Sequence, residues 1–286
     1  MPVKALTSLI IEPTNTCNLR CSFCFVTEGM EREGGFMDLE LFKKVIDDCP
    51  DLEHLCMHNW GEPLLNKQLF DMFDYASAAG VQHIVMNTNG TLLTEAMIER
   101  LISSPLTILR FSIDGSPETY QRVRGVELAK IEKNIKRLKE VRDQRGKDLE
   151  LGVVFTVEEE TQEDADAYIA HWEAIVDHVR LQPKLIQSPR KEPCPEPFGK
   201  DYGKLVVLWD GRVIPCCVDY NATLTLGNAH NDNVNALWRG SAIEQLRREH
   251  ETLNFPRVCE NCNECETAKT DKRFFWLDSV PTPPAS

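Results

Sequence analysis

Apolar and polar positions along the first two thirds of the chain switch repeatedly between two periods. Residues 6–12 (LTSLIIE) form a short apolar run of strand length. Residues 38–49 follow with helical spacing: Leu39, Phe42, Val45 and Ile46 share one face, and Asp38 stands where an N-cap is needed. The alternation continues, with strands predicted over 55–60, 83–87, 106–113, 149–157 and 178–182, and helices over 69–79, 94–103, 129–145 and 163–176. Gly80 and Gly146 close two of these helices, and Thr94 opens a third. Strands alternating with helices in this order imply an α/β fold with a parallel sheet and right-handed crossovers. The sheet is expected to be open or curled into a full or partial barrel.

In either form ligands bind beyond the C-terminal ends of the strands. Polar motifs gather at those ends. A cysteine loop follows the first strand, Gly61-Glu62-Pro63 the second and Asn87-Thr88-Asn89-Gly90 the third, while Ser112-Ile113-Asp114-Gly115 ends the fourth. Beyond them, residues 188–200 carry four prolines (189, 193, 195 and 197) and are expected to be a domain boundary. Residues 204–209 and 212–214 predict a hairpin turned at Asp210-Gly211, and 233–251 a helix bearing Leu237, Trp238, Ile243 and Leu246. The expected division is a core over 1–188, a small α+β domain over 189–278, and a disordered tail over 279–286. The second part is too small for an ample core, so metal ligation would help to stabilise it.

Composition narrows the function classes. The 286 residues are 42% hydrophobic and 27% charged, which excludes collagen-like and low-complexity chains. A net charge of −13 argues against a general nucleic-acid partner, whose phosphates need a basic face. No apolar run approaches membrane-span length, and Met1-Pro2-Val3-Lys4 does not open a signal peptide. The expectation is a cytoplasmic protein with no membrane partner.

The cysteines carry the chemistry. There are 11, and three of them, Cys17, Cys21 and Cys24, form a Cx3Cx2C loop. Three thiolates this close can hold an iron–sulfur cube at three corners, leaving one iron open to a non-protein ligand. A zinc site would want a fourth Cys or His nearby, and none lies between Cys24 and Cys49. The later set is Cys194, Cys216, Cys217, Cys259, Cys262 and Cys265, enough for a complete four-ligand cluster. Paired CxxC spacing suits zinc equally well there. Cys49 and Cys56 read as small buried residues. His54, His58, Gln182 and Lys184 flank strands and are candidates to face a substrate, although such histidines are more often structural.

Taken together, these motifs resemble those of the radical S-adenosylmethionine (SAM) enzymes over nearly the whole chain. Cx3Cx2C after the first strand, with Phe23 before the last Cys, is that superfamily's most specific mark. Gly61-Glu62-Pro63 is similar to its GEP motif, although Trp60 stands where relatives often have another Gly. The Asn89, Ser112 and Asp114 motifs, and Arg124 in YQRVRG, also have counterparts there. The later cysteines, with Gly211-x4-Cys216 and Leu226-Gly227-Asn228, resemble the SPASM/twitch subgroup. Too few cysteines follow Cys265 for the full two-cluster pattern, so the resemblance implies one auxiliary cluster.

The resemblance implies a partial (β/α)6 TIM-type barrel followed by a small iron–sulfur domain. Cys17, Cys21 and Cys24 would hold a catalytic 4Fe–4S cluster, with SAM chelating its open iron. The Gly61-Glu62-Pro63 loop would meet the SAM ammonium, Arg124 its carboxylate, Asn89, Ser112 and Asp114 its ribose, and Phe23 its adenine. Without the cysteines, those polar groups read as turn chemistry at strand ends. Cys194, Cys216, Cys259 and Cys262 are the expected auxiliary 4Fe–4S ligands. Cys217 and Cys265 are then spare, as substitute ligands or hydrogen-atom donors.

The expected activity is a dehydrogenase-type oxidation of a sugar or aminocyclitol carbinol, with the auxiliary cluster accepting an electron. A flavodoxin- or ferredoxin-type reductant would serve it. Peptide crosslinking and epimerisation compete within the same machinery. Against a peptide maturase stands the barrel's start within the first residues, which leaves no spare N-terminal domain for a leader peptide. An electron-transfer or zinc-binding module is the non-enzymatic alternative.

Overall fold

The computed structural model describes residues 2–157, 165–183, 189–199 and 203–262. Six strands run parallel: β1 (Leu6–Ile11), β2 (His54–Cys56), β3 (His83–Thr88), β4 (Ile108–Ser112), β5 (Glu150–Val157) and β6 (His178–Pro183). Between them lie α1 (Leu39–Asp47), α2 (Leu69–Ala78), α3 (Glu95–Ser103), α4 (Pro117–Arg124), α5 (Leu128–Arg145) and α6 (Ala165–Glu173). The fold is the partial (β/α)6 barrel that the alternation implied.

Local chemistry explains the helix starts. Asp38 accepts from the Leu41 amide and Thr94 from the Met97 amide, each satisfying a donor that has no partner inside its helix. α1 then buries Leu41, Phe42, Val45 and Ile46 against the sheet side of a single large core. α4 was not among the expected elements. Its eight residues are mostly polar, but Ser116 caps the Thr119 amide, a proline opens it and Gly125 (φ +75°) ends it. Strand β2 is shorter than the predicted 55–60, because the chain leaves the sheet to build the Gly61 turn.

The largest departure concerns the last third. Three further strands, β7 (Gly203–Val207), β8 (Arg212–Ile214) and β9 (Gly227–Asn228), extend the same sheet. Its order is β6-β5-β4-β3-β2-β1-β7-β8-β9, so β1 is internal, with β2 on one side and β7 on the other. β7 and β8 form the expected antiparallel hairpin about Asp210-Gly211. The predicted helix over 233–251 is broken at Gly240 into α7 (Val234–Leu237) and α8 (Ser241–Glu251), with α9 (Arg257–Glu260) beyond.

Two apolar clusters lie on opposite faces of the sheet. The large one takes Leu9, Ile11, Leu55, Ile84 and Leu109 together with the helices. The small one, on the inner face of the barrel, holds Ile10, Cys56, Val85, Ile108, Val206 and Ile214. Cys49 and Cys56 are buried in these clusters. No described helix is long and apolar enough to cross a membrane.

Candidate active site

The first cysteine loop is fastened at the strand ends from several directions. Gly61 has φ +102°, and a Cβ there would sit 2.5 Å from the Thr14 carbonyl oxygen. Only glycine lets the turn press this closely on residues 14–16, just before Cys17. The Glu62 amide donates to the Thr16 carbonyl at 2.9 Å. The Glu62 carboxylate is buried, accepting from Thr88 Oγ1 (2.7 Å) and from the Asn89 (2.8 Å) and Leu64 (3.2 Å) amides. It therefore holds the second strand's turn to the third strand. Burial pushes this carboxyl upward, against those three hydrogen bonds.

Asn89 reaches the loop itself: its Nδ2 donates to Asn18 Oδ1 at 2.9 Å and lies 3.9 Å from Cys17 Sγ. From α4, the Val123 carbonyl accepts from the Ser22 amide, and Arg124 Nη1 stands 3.9 Å from Cys21 Sγ. Arg124 is buried, bonds Asp114 through Nε at 2.5 Å, and lies 5.7 Å from the Phe23 ring centre. The second Asp114 oxygen accepts from the Thr156 amide. Pro63 is buried, and Ser112 is half-buried at the end of β4.

Cys17, Cys21 and Cys24 are free thiols that feel one another electrostatically. Burial pushes Cys17 up, and pushes Cys21 up to about 11 despite the opposing Arg124 charge. Thiols held neutral by burial become ligands once a cationic centre takes up their negative charge. The Leu19 amide and Asn89 Nδ2 point at Cys17 Sγ, and Arg124 at Cys21 Sγ, donors that favour a thiolate. Tyr120 Oη, close to Cys21, Asp114 and Glu62, is buried without a hydrogen-bond partner. The donor set thus fits an iron–sulfur centre with a polar ligand beside it.

The second thiol set comes together in space. Cys194, Cys216, Cys259 and Cys262 line one cavity, with Arg190 and His250 among its walls. Among the described residues no three His, Cys, Asp or Glu side chains close on a single-ion site. Four sulfurs around a cavity suit a multi-iron cluster better than one zinc ion. His250 was not singled out by sequence. Its Nδ1 accepts from the Cys194 amide at 3.1 Å, so Nε2 carries the proton; Nε2 is buried with no partner. Only the fold reveals it, because no motif surrounds it.

Residues 11–168 match the family model of the radical SAM superfamily, and 199–266 that of an iron–sulfur cluster-binding domain, SPASM. The chain belongs to the radical SAM superfamily. As a radical SAM protein it is an iron–sulfur-dependent enzyme that uses SAM and a catalytic 4Fe–4S cluster, and its SPASM segment carries auxiliary iron–sulfur. A tungsten-containing aldehyde ferredoxin oxidoreductase cofactor-modifying protein of Pyrococcus furiosus is 35% identical over 142 residues, 46% of this chain and 39% of that protein. The radical SAM chain thus matches well under half the length of that relative. The S-adenosyl-L-methionine-dependent 2-deoxy-scyllo-inosamine dehydrogenase of Niallia circulans is 23% identical over 283 residues, 96% of this chain and 99% of that enzyme. BtrN, solved with AdoMet and 2-DOIA, matches at a TM-score of 0.62 and 19% identity over 92% of this chain and 94% of its own. Streptococcus suis SuiB with S-adenosylmethionine matches at 0.69 and 15% over 98% and 78%.

The remaining candidates fall in different places. Cys217 adjoins Cys216 but packs against the inner cluster of the barrel, and its carbonyl accepts from Trp60 Nε1 at 3.0 Å. Trp60 also meets the stacked Phe25–Tyr220 pair edge-on. His54 stacks on His83 at the start of the strands, away from the site end. His58 is buried and accepts the Asn87 amide on Nδ1. Gln182 is half-buried near the end of β6, and Lys184 and Cys265 lie outside the described residues. Sequence reasoning also missed Glu12 and Arg32. They form a bidentate pair at 2.8 Å, buried on both sides, and Arg32 Nε donates to the Tyr220 carbonyl. This pair locks the cysteine loop to β1 and to the turn after Cys216.

Proposed function

We propose that the chain oxidises a carbinol carbon of a small polyol of the sugar or aminocyclitol class. Cys17, Cys21 and Cys24 would hold the catalytic cluster, and Cys194, Cys216, Cys259 and Cys262 one auxiliary cluster. The single observation that carries this reading is the pair Cys216-Cys217: one lines the thiol cavity and its neighbour packs against the inner face of the barrel. An electron leaving a substrate in the barrel would have a short path to the auxiliary site. The full-length match to a dehydrogenase supports the same reading.

Together the bound cluster and SAM supply, after one-electron reduction, a 5′-deoxyadenosyl radical able to take a hydrogen atom from the substrate. The residues do the placing. The carbonyls of the Gly61 turn and the Glu62 carboxylate suit the ammonium of SAM, and Arg124 suits its carboxylate. Asn89, Ser112 and Asp114 suit ribose hydroxyls, and Phe23 offers a face to adenine. Cys217 is placed to return a hydrogen atom if the outcome is epimerisation. A flavodoxin- or ferredoxin-type protein would deliver the first electron.

A second reading, peptide modification, is favoured by likeness of fold to SuiB, solved with precursor peptide SuiA, and to anSMEcpe, solved with a Cp18Cys peptide. Anaerobic reconstitution tests the whole scheme. About eight irons per chain, with dithionite-dependent release of 5′-deoxyadenosine, are expected for two four-iron clusters. Deuterium moving from a polyol carbinol into 5′-deoxyadenosine, with a ketone as product, supports oxidation. Zinc in the second thiol set removes the electron acceptor and sinks it, and label transfer only from peptides favours the second reading.

A further inference from the structure

The inner wall of the barrel changes character along its height. Ile10, Cys56, Val85 and Ile108 pair across β1 to β4 and form an apolar floor. Two residues further along each strand, on the same face, the wall turns polar. Asn87 pairs with Arg110, Arg110 with Gly152, and Gly152 with His178. Two residues above again, Ser112, Val154 and Arg180 form the next row, and Thr156 and Gln182 the next. Two arginines therefore face the barrel interior, Arg110 fully buried and Arg180 at 5% exposure.

This wall is cationic in a chain whose net charge is −13. The carboxylates of the same face, Glu12 and Asp114, are each matched by an arginine from outside the strands, Arg32 and Arg124. His178 adds no charge. Its ring lies over Gly152, where a Cβ would come within 2.1 Å of Nε2, and Nε2 accepts from Arg110 Nε at 3.3 Å. Burial, with Arg110 and Arg180 beside it, lowers its pKa to about 3, against the weaker pull of Asp177. Asn87 supplies an independent sign. It is 8% exposed, and its Oδ1 is buried with no hydrogen-bond partner. Buried acceptors are nearly always satisfied, so an orphan on a cavity wall points to a donor on a missing ligand.

We propose that this wall binds the acidic group of the substrate, a carboxylate or phosphate on a small polyol, through Arg110 and Arg180, with Asn87 accepting from one of its hydroxyls. The inference rests on the polyol reading above and narrows it. A cationic amine would meet like charge here, so an anionic polyol is preferred over an unmodified aminocyclitol. The site lies one row beneath Ser112, which sets the acidic end towards the floor and leaves the other carbons nearer the rim.

Calorimetric titration of the reconstituted, SAM-loaded full chain tests it with four probes: gluconate, inositol 1-phosphate, myo-inositol and glucosamine. The expected result is that gluconate or inositol 1-phosphate binds at least about tenfold more tightly than both others. Which of the two leads distinguishes carboxylate from phosphate. Arg180→Gln should weaken that probe by about tenfold or more, and Arg180→Lys by less. Asn87→Asp, which keeps the side-chain size but adds a negative charge, should also weaken it. Any other ranking, including no binding of either anion, or binding that survives both Arg180→Gln and Asn87→Asp, overturns the proposal. Wild-type electron paramagnetic resonance with SAM separates the two levels. If the spectrum responds to SAM while glucosamine ranks first, the substrate inference alone fails; if it does not respond, the reading beneath it fails.

Discussion

The two thiol sets are built in opposite ways. Cys17, Cys21 and Cys24 occupy one loop, and the walls around them come from four strand ends and α4. Cys194, Cys216, Cys259 and Cys262 come from three separated segments and meet only because β7 to α9 fold over one another. The first set is local and borrows its rigidity from a large core. The second is assembled by tertiary structure and sits where the apolar cluster is small. The difference teaches that one site depends on the fold, whereas the other helps to make it.

Removing one thiol from each set should break that symmetry most sharply. Cys21→Ala is expected to lower SAM cleavage by about a thousandfold or more with little change in melting temperature. Cys259→Ala should instead lower the melting temperature by about 5 °C or more. Calorimetry and a 5′-deoxyadenosine assay on both proteins check this, and similar melting losses in the two would erase the contrast. Next in size is the clamp between the regions. Arg32→Ala leaves the Glu12 carboxylate buried without its partner and should cost about 3–5 kcal/mol in denaturant unfolding. Adding Glu12→Gln should recover part of that loss.

Gly61→Ala probes the local site alone. A methyl 2.5 Å from the Thr14 oxygen at φ +102° should cost about 1–3 kcal/mol and lower iron retention in the first set only. Titration of the barrel wall should be gentler. His178 binds its proton at about 3 in the fold and near 6.5 when unfolded, so between those values the unfolded chain holds more protons. Stability is then fully present above pH 6.5 and falls as pH drops towards 3, by at most about 1.4 kcal/mol per pH unit. Metal-free wild type should show the slope and His178→Gln should lose it. The smallest effect belongs to the second set: His250→Phe removes a buried N–H donor from its cavity. It should make that cluster's potential more negative while leaving the first unchanged, as redox titration would read.

The same contrast explains what the sequence disclosed. The helix starts at Asp38 and Thr94 and the turn at Asp210-Gly211 were legible because their causes lie within a few residues. The first cysteine loop was legible for the same reason. The β1–β7 pairing was not, since nothing near Leu6 or Gly203 names its partner across the chain. The Glu12–Arg32 pair and His250 were missed because a lone charge or imidazole carries no spacing signal. Arg110 left a trace, a cation in the middle of the apolar strand ILRFS, which only the strand register could turn into a wall. Helix α4 had its signals in Ser116, Pro117 and Gly125, but too few apolar residues for periodicity to show it.

The internal position of β1 has a consequence for synthesis. Its second edge waits for residues 203–207, so a nascent chain emerging from the ribosome exposes an apolar strand edge for roughly ten to forty seconds of elongation. Such an edge is a template for wrong pairing. Production of this protein should therefore respond to chaperone supply and slower, cooler expression, and truncation ahead of β7 should yield aggregates.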